Sequence, residues 1–276
     1  MTVELNKSKM KTPITYYGGK QSMLPIILPM IPEHNLYCEP FFGGGAVFFA
    51  KEPSKIEVIN DTNREVVNFY RTVQNDFVSL EKEIKISLHS RDLHRKAKVI
   101  YNNPDMFSEL KRAWAFWLLA NQSYSSDLNG GWSYDNQTGK SAKRAANKHD
   151  GFTEDYAIRL QGAQIECCDA IRIINSRDEQ DAFFYLDPPY YNANMGHYDG
   201  YTIEDFELLL KTLSRIEGKF LLSSYPSDIL SGYIKQNDWH SKEIAGGVNT
   251  HARAAKRKAK VEVLTANYEI GQALFK

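Results

Sequence analysis

The chain has 276 residues, of which 42% are hydrophobic and 25% charged, and its 34 basic residues balance 34 acidic ones. This composition is ordinary for a globular protein, and the length fits one large α/β domain or a core domain with an insertion. No run approaches the ~18 apolar residues of a membrane helix, and no charged-then-apolar leader opens the chain. We therefore expect a cytoplasmic protein with no membrane partner.

The cysteine pattern argues against both disulfide bonds and a cysteine-bound metal site. Cys38, Cys167 and Cys168 are odd in number and two of them are adjacent, which does not suit a disulfide framework. No C-x-x-C pair or Cys/His cluster is present, so we expect free thiols and no bound metal.

Short apolar runs alternate with helical patterns along the first part of the chain, which predicts an α/β fold with a largely parallel sheet. Residues 20–31 predict a short helix, and "NLYCEP" (35–40) and "KIEVIND" (55–61) predict strands. One amphipathic helix is predicted from apolar residues at three- and four-residue steps, namely Val66, Tyr70, Val73, Phe77, Leu80 and Ile84.

The pattern changes from about residue 87 to residue 163, where there is little strand signal. A helix is predicted from the apolar side formed by Phe107, Leu110, Trp114, Trp117 and Leu118. Residues 121–151 are polar and rich in glycine and asparagine, and such a long stretch is interpreted as a functional loop. We predict that 87–163 is an inserted module, and that 1–86 and 164–276 form one catalytic domain.

The alternation resumes after the predicted insertion. Thr202 and Asp205 have the spacing of a capping box at the start of a helix. Four further strands are predicted, "AQIECCD" (163–169), "DAFFYLD" (181–187), "KFLLSS" (219–224) and "VEVLTANYEI" (261–270).

A glycine turn follows the first predicted strand, in "CEPFFGGG". Gly43 and Gly45 would let a ligand approach the backbone, and the following helix would present free N–H groups. Asp61 ends the next strand, where an acid reaches ribose hydroxyls in dinucleotide-binding folds. The match to G-x-G-x-x-G is imperfect because the third glycine is replaced by phenylalanine. A nucleotide-binding turn is favoured over a purely structural one by the presence of Asp61.

A second constellation is "LDPPY". Proline cannot donate to a strand ladder, so the strand must end before Pro188. Asp187 and the Pro188 carbonyl would then form a rigid pair of acceptors suited to the two hydrogens of an exocyclic amine, and Tyr190 would offer a face for a heterocycle to stack on. A simple turn with a capping aspartate is the alternative.

Together with "TPITYYGGK" (12–20), these motifs resemble the Dam-like (alpha-class) N6-adenine-specific DNA methyltransferase family, in the family's order and over nearly the whole chain outside the insertion. "YYGGK" is similar to its N-terminal motif, "EPFFGGGAVF" to its glycine motif, "VIND" to its ribose-binding acid and "LDPPYY" to its catalytic D-P-P-Y. The resemblance implies a Rossmann-like S-adenosylmethionine-dependent methyltransferase sheet with helices on both faces and an inserted, mainly helical target-recognition module.

The resemblance also implies roles for individual residues. Asp187, Pro188 and Tyr190 would be catalytic, holding the N6 amine of an adenine flipped out of double-stranded DNA, and residues 191–202 would close over that base. S-adenosyl-L-methionine, which becomes S-adenosyl-L-homocysteine, would be bound by Tyr16, Gly18, Lys20, Glu39, Phe41, Gly43, Gly45, Asp61, Asp169 and Asp187.

The insertion and a basic segment near the C-terminus are predicted to bind DNA. Residues 139–149 and 251–260 contain basic residues and no acid, as expected of surfaces that neutralise phosphates. The predicted DNA-binding residues are Gln122, Asn129, Lys140, Lys143, Arg144, Lys148, Lys256 and Arg257. Gln122 stands where well-known members carry an arginine in an N-R-Y-x-x-N-G-like segment, so the recognised DNA sequence is left open.

Several alternatives remain at this stage. Cytosine N4 and RNA adenine methyltransferases share the chemistry but usually have Ser or Asn in place of Asp187. A nucleotide-dependent oxidoreductase would give the D-P-P-Y motif no task, and a catalytically silent DNA-binding relative would retain only the fold. The resemblance implies a bacterial or phage enzyme that acts as a monomer or weak dimer, with or without a cognate restriction endonuclease.

Overall fold

The computed structural model describes residues 10–191, 200–245 and 261–271. Its helices and strands follow in chain order. The strands are β1 Leu36–Glu39, β2 Ile56–Asn60, β3 Ala163–Glu166, β4 Ala182–Leu186, β5 Lys219–Ser224, β6 His240–Ala245 and β7 Val261–Ala266. The α-helices are α1 Leu24–Ile27, α2 Ala46–Ala50, α3 Arg64–Asn75, α4 Phe77–Lys85, α5 Arg91–Asn102, α6 Glu109–Gln122, α7 Lys140–Asp150, α8 Asp155–Leu160, α9 Ala170–Arg177, α10 Ile203–Leu213 and α11 Asp228–Asn237.

The chain divides into two compact units, each built from separate stretches of sequence. The first unit comprises Met1–Leu24, Gly43–Pro53 and Asn63–Ile165, and the second comprises Pro25–Phe42, Ser54–Thr62 and Glu166–Lys276. The two units do not coincide with the predicted insertion at 87–163, which stays a prediction.

The described strands form one mixed sheet in the order β3-β2-β1-β4-β5-β7-β6. Strands β1, β2, β4 and β5 pair in parallel, whereas β7 is antiparallel to both β5 and β6. This confirms the predicted α/β class. In such sheets the strand order reverses at a switch point, here between β1 and β4, and ligands bind at the carboxyl ends of the strands beside it.

Apolar side chains on one face of the sheet form the core of the second unit. Phe184, Leu186 and Leu222 on the strands are fully buried, and α9, α10 and α11 supply the facing residues. Helix α10 begins with the predicted capping box, in which the Thr202 hydroxyl accepts from the Asp205 N–H and the Asp205 carboxylate accepts from the Thr202 N–H.

The first unit is mainly helical, and α6 lies at its centre. Every residue from Ala115 to Ala120 is fully buried, which explains why this helix has apolar residues on all sides rather than along one stripe. A bidentate ion pair between Arg112 and Glu65 joins α6 to α3, at 3.0 Å and 2.7 Å, and the side chains are only 12% and 8% exposed.

Two predictions of local structure were wrong. The predicted single helix with the apolar stripe is two helices, because the backbone leaves helical geometry at Asp76 between α3 and α4. The predicted loop at 121–151 contains a short antiparallel bridge between Ser123 and Trp132 and the helix α7. Helix α7 could form because the Asp135 carboxylate accepts from the N–H groups of Thr138, Gly139 and Ser141 at its start.

Strand β6 had no counterpart in the sequence prediction, although the antiparallel pairing of β6 with β7 is continuous. Across the parts of the chain that the structure describes, no helix combines the length and apolar character needed to cross a bilayer.

Candidate active site

Acidic side chains gather at the strand ends of the second unit. Glu39 is the last residue of β1, Asp187 directly follows β4, and Glu262 lies near the start of β7, where the register of β5 with β7 brings it to the end of β5. Strand side chains alternate between faces, so Tyr185 shares a face with Asp187, and Tyr37 shares one with Glu39. The Tyr37 hydroxyl donates to the Glu39 carboxylate.

The side chain of Tyr190 connects Asp187 with β5 and β7. Its hydroxyl donates to Asp187 Oδ1 at 3.1 Å and lies 3.0 Å from the Ser223 hydroxyl. Ser223 Oγ in turn lies 3.5 Å from Glu262 Oε2. The ring of Tyr190 packs against Tyr225, with 4.4 Å between the ring centroids. The D-P-P-Y motif is therefore fixed at its aromatic end as well as by its prolines.

Three tyrosines beside these carboxylates retain their protons at neutral pH. Burial raises the pKa of Tyr190 well above its ordinary value, and the charges of Asp187 and Glu262 raise it further. Burial also raises the pKa of Tyr185, helped by Asp187, Glu39 and Glu262, and the pKa of Tyr37, helped by Glu39. Each hydroxyl consequently keeps the hydrogen that it can donate, and those of Tyr37 and Tyr190 donate to Glu39 and Asp187. Within the described residues, the Tyr185 hydroxyl is buried and has no hydrogen-bond partner.

Asn60, which sequence reasoning missed, holds three strand ends together. Its side-chain amide donates to the Pro40 carbonyl after β1 and to the Cys168 carbonyl after β3, and its side-chain oxygen accepts from the Cys168 N–H. Its own carbonyl accepts from the Phe42 N–H. The residue is 1% exposed. Its position in "VIND", just before Asp61, was the available signal.

The other predicted cofactor residues of the second unit lie at the same strand ends. Asp61 is half-buried directly after β2, and Asp169 follows β3. Asp169 also caps α9, because its Oδ1 accepts from the N–H groups of Ile171 and Arg172. Phe41 follows β1 and packs edge-on against Tyr201, with 6.2 Å between the ring centroids.

The glycine turn and Tyr16 lie together in the first unit. Gly43 and Gly45 have φ values of 46° and 64°, which L-residues with a side chain adopt rarely. A Cβ on Gly43 would lie 2.9 Å from the Tyr16 ring, and the Gly43 carbonyl accepts from the Tyr70 hydroxyl at 3.0 Å. Both the conformation and the close approach of Tyr16 therefore require glycine at position 43.

The N-terminal "YYGGK" segment forms a turn in the first unit. The Gly19 N–H donates to the Tyr16 carbonyl at 3.1 Å, and Gly18 has a φ of 75°. Lys20 is 4% exposed, and its ammonium donates to the Gly18 carbonyl at 3.0 Å. The ammonium of Lys20 is therefore held in a fixed position and does not extend into solvent.

The predicted DNA-binding residues have differing surroundings. Asn129, Lys140, Lys143 and Arg144 are exposed. In contrast, Gln122 is 1% exposed and its amide donates to the Leu88 carbonyl, and the Lys148 ammonium donates to the Thr12 carbonyl. Gln122 could contact a base only if the residues that bury its side chain moved. Lys256, Arg257 and positions 192–199 of the expected closing segment lie outside the described residues.

Comparison with known proteins decides the family. The model of the D12 class N6 adenine-specific DNA methyltransferase matches residues 16–257. The chain belongs to this family. The match includes the glycine turn, Asp61 and the D-P-P-Y motif, and it confirms the family and the enzyme class that the sequence motifs predict. A methyl-donor cofactor and a DNA substrate follow from this membership.

Three curated relatives match this chain over nearly the full length of both proteins. The Type II methyltransferase M1.LlaDCHI of Lactococcus lactis subsp. cremoris is 25% identical, over 96% of this chain and 98% of its own. The Type II methyltransferase M.MjaIII of Methanocaldococcus jannaschii is 26% identical, over 92% and 98%. A DNA adenine methylase of Vibrio cholerae is 24% identical, over 96% and 91%.

Proposed function

We propose that this family member transfers a methyl group from S-adenosyl-L-methionine to the N6 amine of an adenine flipped out of double-stranded DNA, at specific sites. The observation that carries the proposal is Asp187, directly after β4 and next to the switch point of the sheet. A carboxylate followed by the Pro188 carbonyl offers two acceptors to an amine that has two hydrogens.

The chemistry of the strand ends fits a cationic cofactor. S-adenosyl-L-methionine supplies a methyl group already activated by a positively charged sulfonium. The Tyr185 hydroxyl is buried without a hydrogen-bond partner among the described residues, and the charges of Glu39, Asp187 and Glu262 raise its pKa. A positive ligand is attracted by such a group, and an unpaired buried donor is costly unless a ligand or water accepts from it.

The residues of the chain would act on the target amine by holding and orienting it. Asp187 Oδ1 or Oδ2 would accept one N6 hydrogen and the Pro188 carbonyl the other, which aims the nitrogen lone pair along one direction. Asp187 would then accept the proton that the amine loses after transfer. Tyr190 would stack on the flipped adenine and exclude water.

Cofactor roles for Tyr16, Gly18, Lys20, Glu39, Phe41, Gly43, Gly45, Asp61 and Asp169 are part of this proposal. The strand-end positions of the buried Glu39 and the half-buried Asp61, and the close packing of Tyr16 on Gly43, support it. The exposed Asn129, Lys140, Lys143 and Arg144 are proposed to contact DNA, and the last three belong to the segment 139–149, which has basic residues and no acid.

Substitution of Asp187 tests the proposal. Asp187→Ala should lower the single-turnover rate of methyl transfer to duplex DNA by roughly 100-fold or more, because it removes the acceptor for the amine and its proton. Thermal unfolding and duplex affinity should change little. Asp181→Ala is the matched control, since Asp181 is an exposed acid that precedes the same strand. A rate retained in Asp187→Ala would remove Asp187 from the mechanism.

A further inference from the structure

The hydrogen bonds around Tyr190 cannot all be made at once. Three contacts link Asp187, Tyr190, Ser223 and Glu262 in sequence, at 3.1 Å, 3.0 Å and 3.5 Å. Two hydroxyl hydrogens, one on Tyr190 and one on Ser223, are available for them, because the carboxylates only accept. Two arrangements of the hydrogens keep the contact between Tyr190 and Ser223 hydrogen-bonded.

In the first arrangement Tyr190 donates to Asp187, and Ser223 donates to Tyr190. Ser223 then has no hydrogen for Glu262, which agrees with the longest of the three distances. In the second arrangement both hydroxyls rotate, so that Tyr190 donates to Ser223 and Ser223 donates to Glu262. The second arrangement withdraws the phenol hydrogen from Asp187 Oδ1.

We propose that Ser223 and Glu262 are positioning residues for methyl transfer, which take up the Tyr190 hydroxyl hydrogen when the target amine donates to Asp187. The inference rests on the proposed function. Without Ser223, the rotating phenol hydrogen would lose the acceptor that Ser223 provides, and it would compete with the amine for the carboxylate. In this role both residues would act through Tyr190 and not on the base.

The same contacts fix the plane of the Tyr190 ring. Ser223 is 0% exposed and anchors the hydroxyl, while Tyr225 packs against the ring at 4.4 Å between centroids. Because Ser223 holds the hydroxyl and Tyr225 packs against the ring, the ring keeps a fixed orientation. A residue that stacks on a base needs such a fixed orientation.

Ser223→Ala and its neighbour Ser224→Ala form a matched pair for the test. Ser224 is equally buried on the same strand but faces the other way, and its hydroxyl has no hydrogen-bond partner in the described part of the chain. We expect Ser223→Ala to lower kcat about tenfold with KM for duplex DNA changed less than threefold, and Ser224→Ala to leave both unchanged. Equal effects of the two substitutions would overturn the proposal.

A double-mutant cycle separates positioning from packing. If Ser223 acts through the Tyr190 hydroxyl, then Ser223→Ala should have no further effect on kcat in a Tyr190→Phe background. Independent, multiplying effects would contradict the proposed route. At saturating S-adenosyl-L-methionine, Glu262→Ala should lower kcat about tenfold, and Glu262→Gln, which keeps an acceptor for Ser223, should lower it less. An equal loss in the two variants would exclude the acceptor role.

A second readout does not depend on catalysis. 3-Fluorotyrosine placed at position 190 should show a ¹⁹F resonance that shifts in Ser223→Ala and Glu262→Ala but not in Ser224→Ala. An unmoved resonance would show that the contacts are absent and would overturn the inference, even if the wild-type enzyme methylates DNA. A wild-type enzyme that transfers no methyl group, with the expected ¹⁹F shifts, would instead refute the proposed function and the role that depends on it.

Discussion

Asp187 owes its position to its immediate neighbours in the chain. Strand β4 ends at Leu186 because Pro188 and Pro189 cannot donate to a ladder, so the carboxylate stands just beyond the last paired residue. Tyr190 is then near enough to donate to it at 3.1 Å. The abrupt end of the strand therefore fixes both side chains of the proposed catalytic motif.

Gly43 allows a direct test of why the turn needs glycine. Gly43→Ala should destabilise the protein by about 2–3 kcal/mol, because it combines a positive φ with a Cβ that would lie 2.9 Å from the Tyr16 ring. Gly139→Ala is the control, since Gly139 has a φ of 62° and nothing within 4 Å of its Cβ. It should cost only about 1 kcal/mol. Equal losses in chemical denaturation would show that Tyr16 does not constrain the turn.

Lys148 provides a prediction about pH. Burial, together with Lys11 and Arg144, lowers the pKa of Lys148 to about 8 from its ordinary value of 10.5. The unfolded chain therefore binds more protons than the folded protein between about pH 8 and 10.5, and stability contributed by this residue rises with pH across that window. Below pH 8 the charge of the partly buried Lys148 is present in the folded protein and carries its full desolvation cost.

Lys148→Met should accordingly raise the free energy of unfolding by about 1–2 kcal/mol at pH 7, after the loss of the hydrogen bond to Thr12 is allowed for. The gain should disappear by pH 10.5. Lys143→Met, on the exposed side of the same helix, controls for the removed charge. A gain that is the same at pH 7 and pH 10.5 would show that the charge of Lys148 is not the cause.

The site residues that were predicted from the sequence contact partners close to them in the chain, whereas those that were missed contact partners far away in the chain. Asp187 and Tyr190 are three residues apart, and a short motif contains all that positions them. Asn60 contacts Cys168, and Ser223 contacts Glu262. Such pairs are created only when the strands assemble, and neither member has an unusual local sequence.

Helix α7 is the element whose charge is most readily tested. Lys143 and Arg144 are exposed on it. If both meet phosphates, Lys143→Ala/Arg144→Ala should reduce the slope of log affinity for duplex DNA against log salt concentration by about 2.

The matched control for α7 lies on α5. Arg95 and Lys96 are also exposed, but each already pairs with Asp92, at 3.0 Å and 2.8 Å. Arg95→Ala/Lys96→Ala removes the same charge and should leave the slope unchanged. A slope that is equally reduced by both double substitutions, or by neither, would refute a specific phosphate contact on α7.

At the level of elements, the prediction succeeded where local pattern and tertiary environment agree. The buried strand β5 was predicted with its observed bounds at 219–224, and α10 begins at the predicted capping box. The failures have causes that a hydrophobic pattern does not show. The buried apolar stripe continues from α3 into α4, although the backbone leaves helical geometry at Asp76. The start of α7 is capped by the Asp135 carboxylate, which lies outside any helical pattern.

For the whole molecule, family membership establishes an adenine-specific DNA methyltransferase, and the proposal specifies its donor, target atom and duplex substrate. The mixed sheet has its proposed chemistry at the carboxyl ends of β1 and β4, as expected for this class of fold. The DNA-reading residues were the least predictable part, because an exposed polar side chain such as Asn129 has no structural constraint that marks it.

The most direct test is to identify the methylated nucleoside. The wild-type protein would be incubated with duplex DNA of mixed sequence and S-adenosyl-L-methionine carrying a deuterated methyl group, and the digested nucleosides would be analysed by mass spectrometry. The account predicts label in N6-methyladenine, and far less of it when the DNA is replaced by RNA of the same sequence. Label in N4-methylcytosine, or no label in any nucleoside, would contradict it.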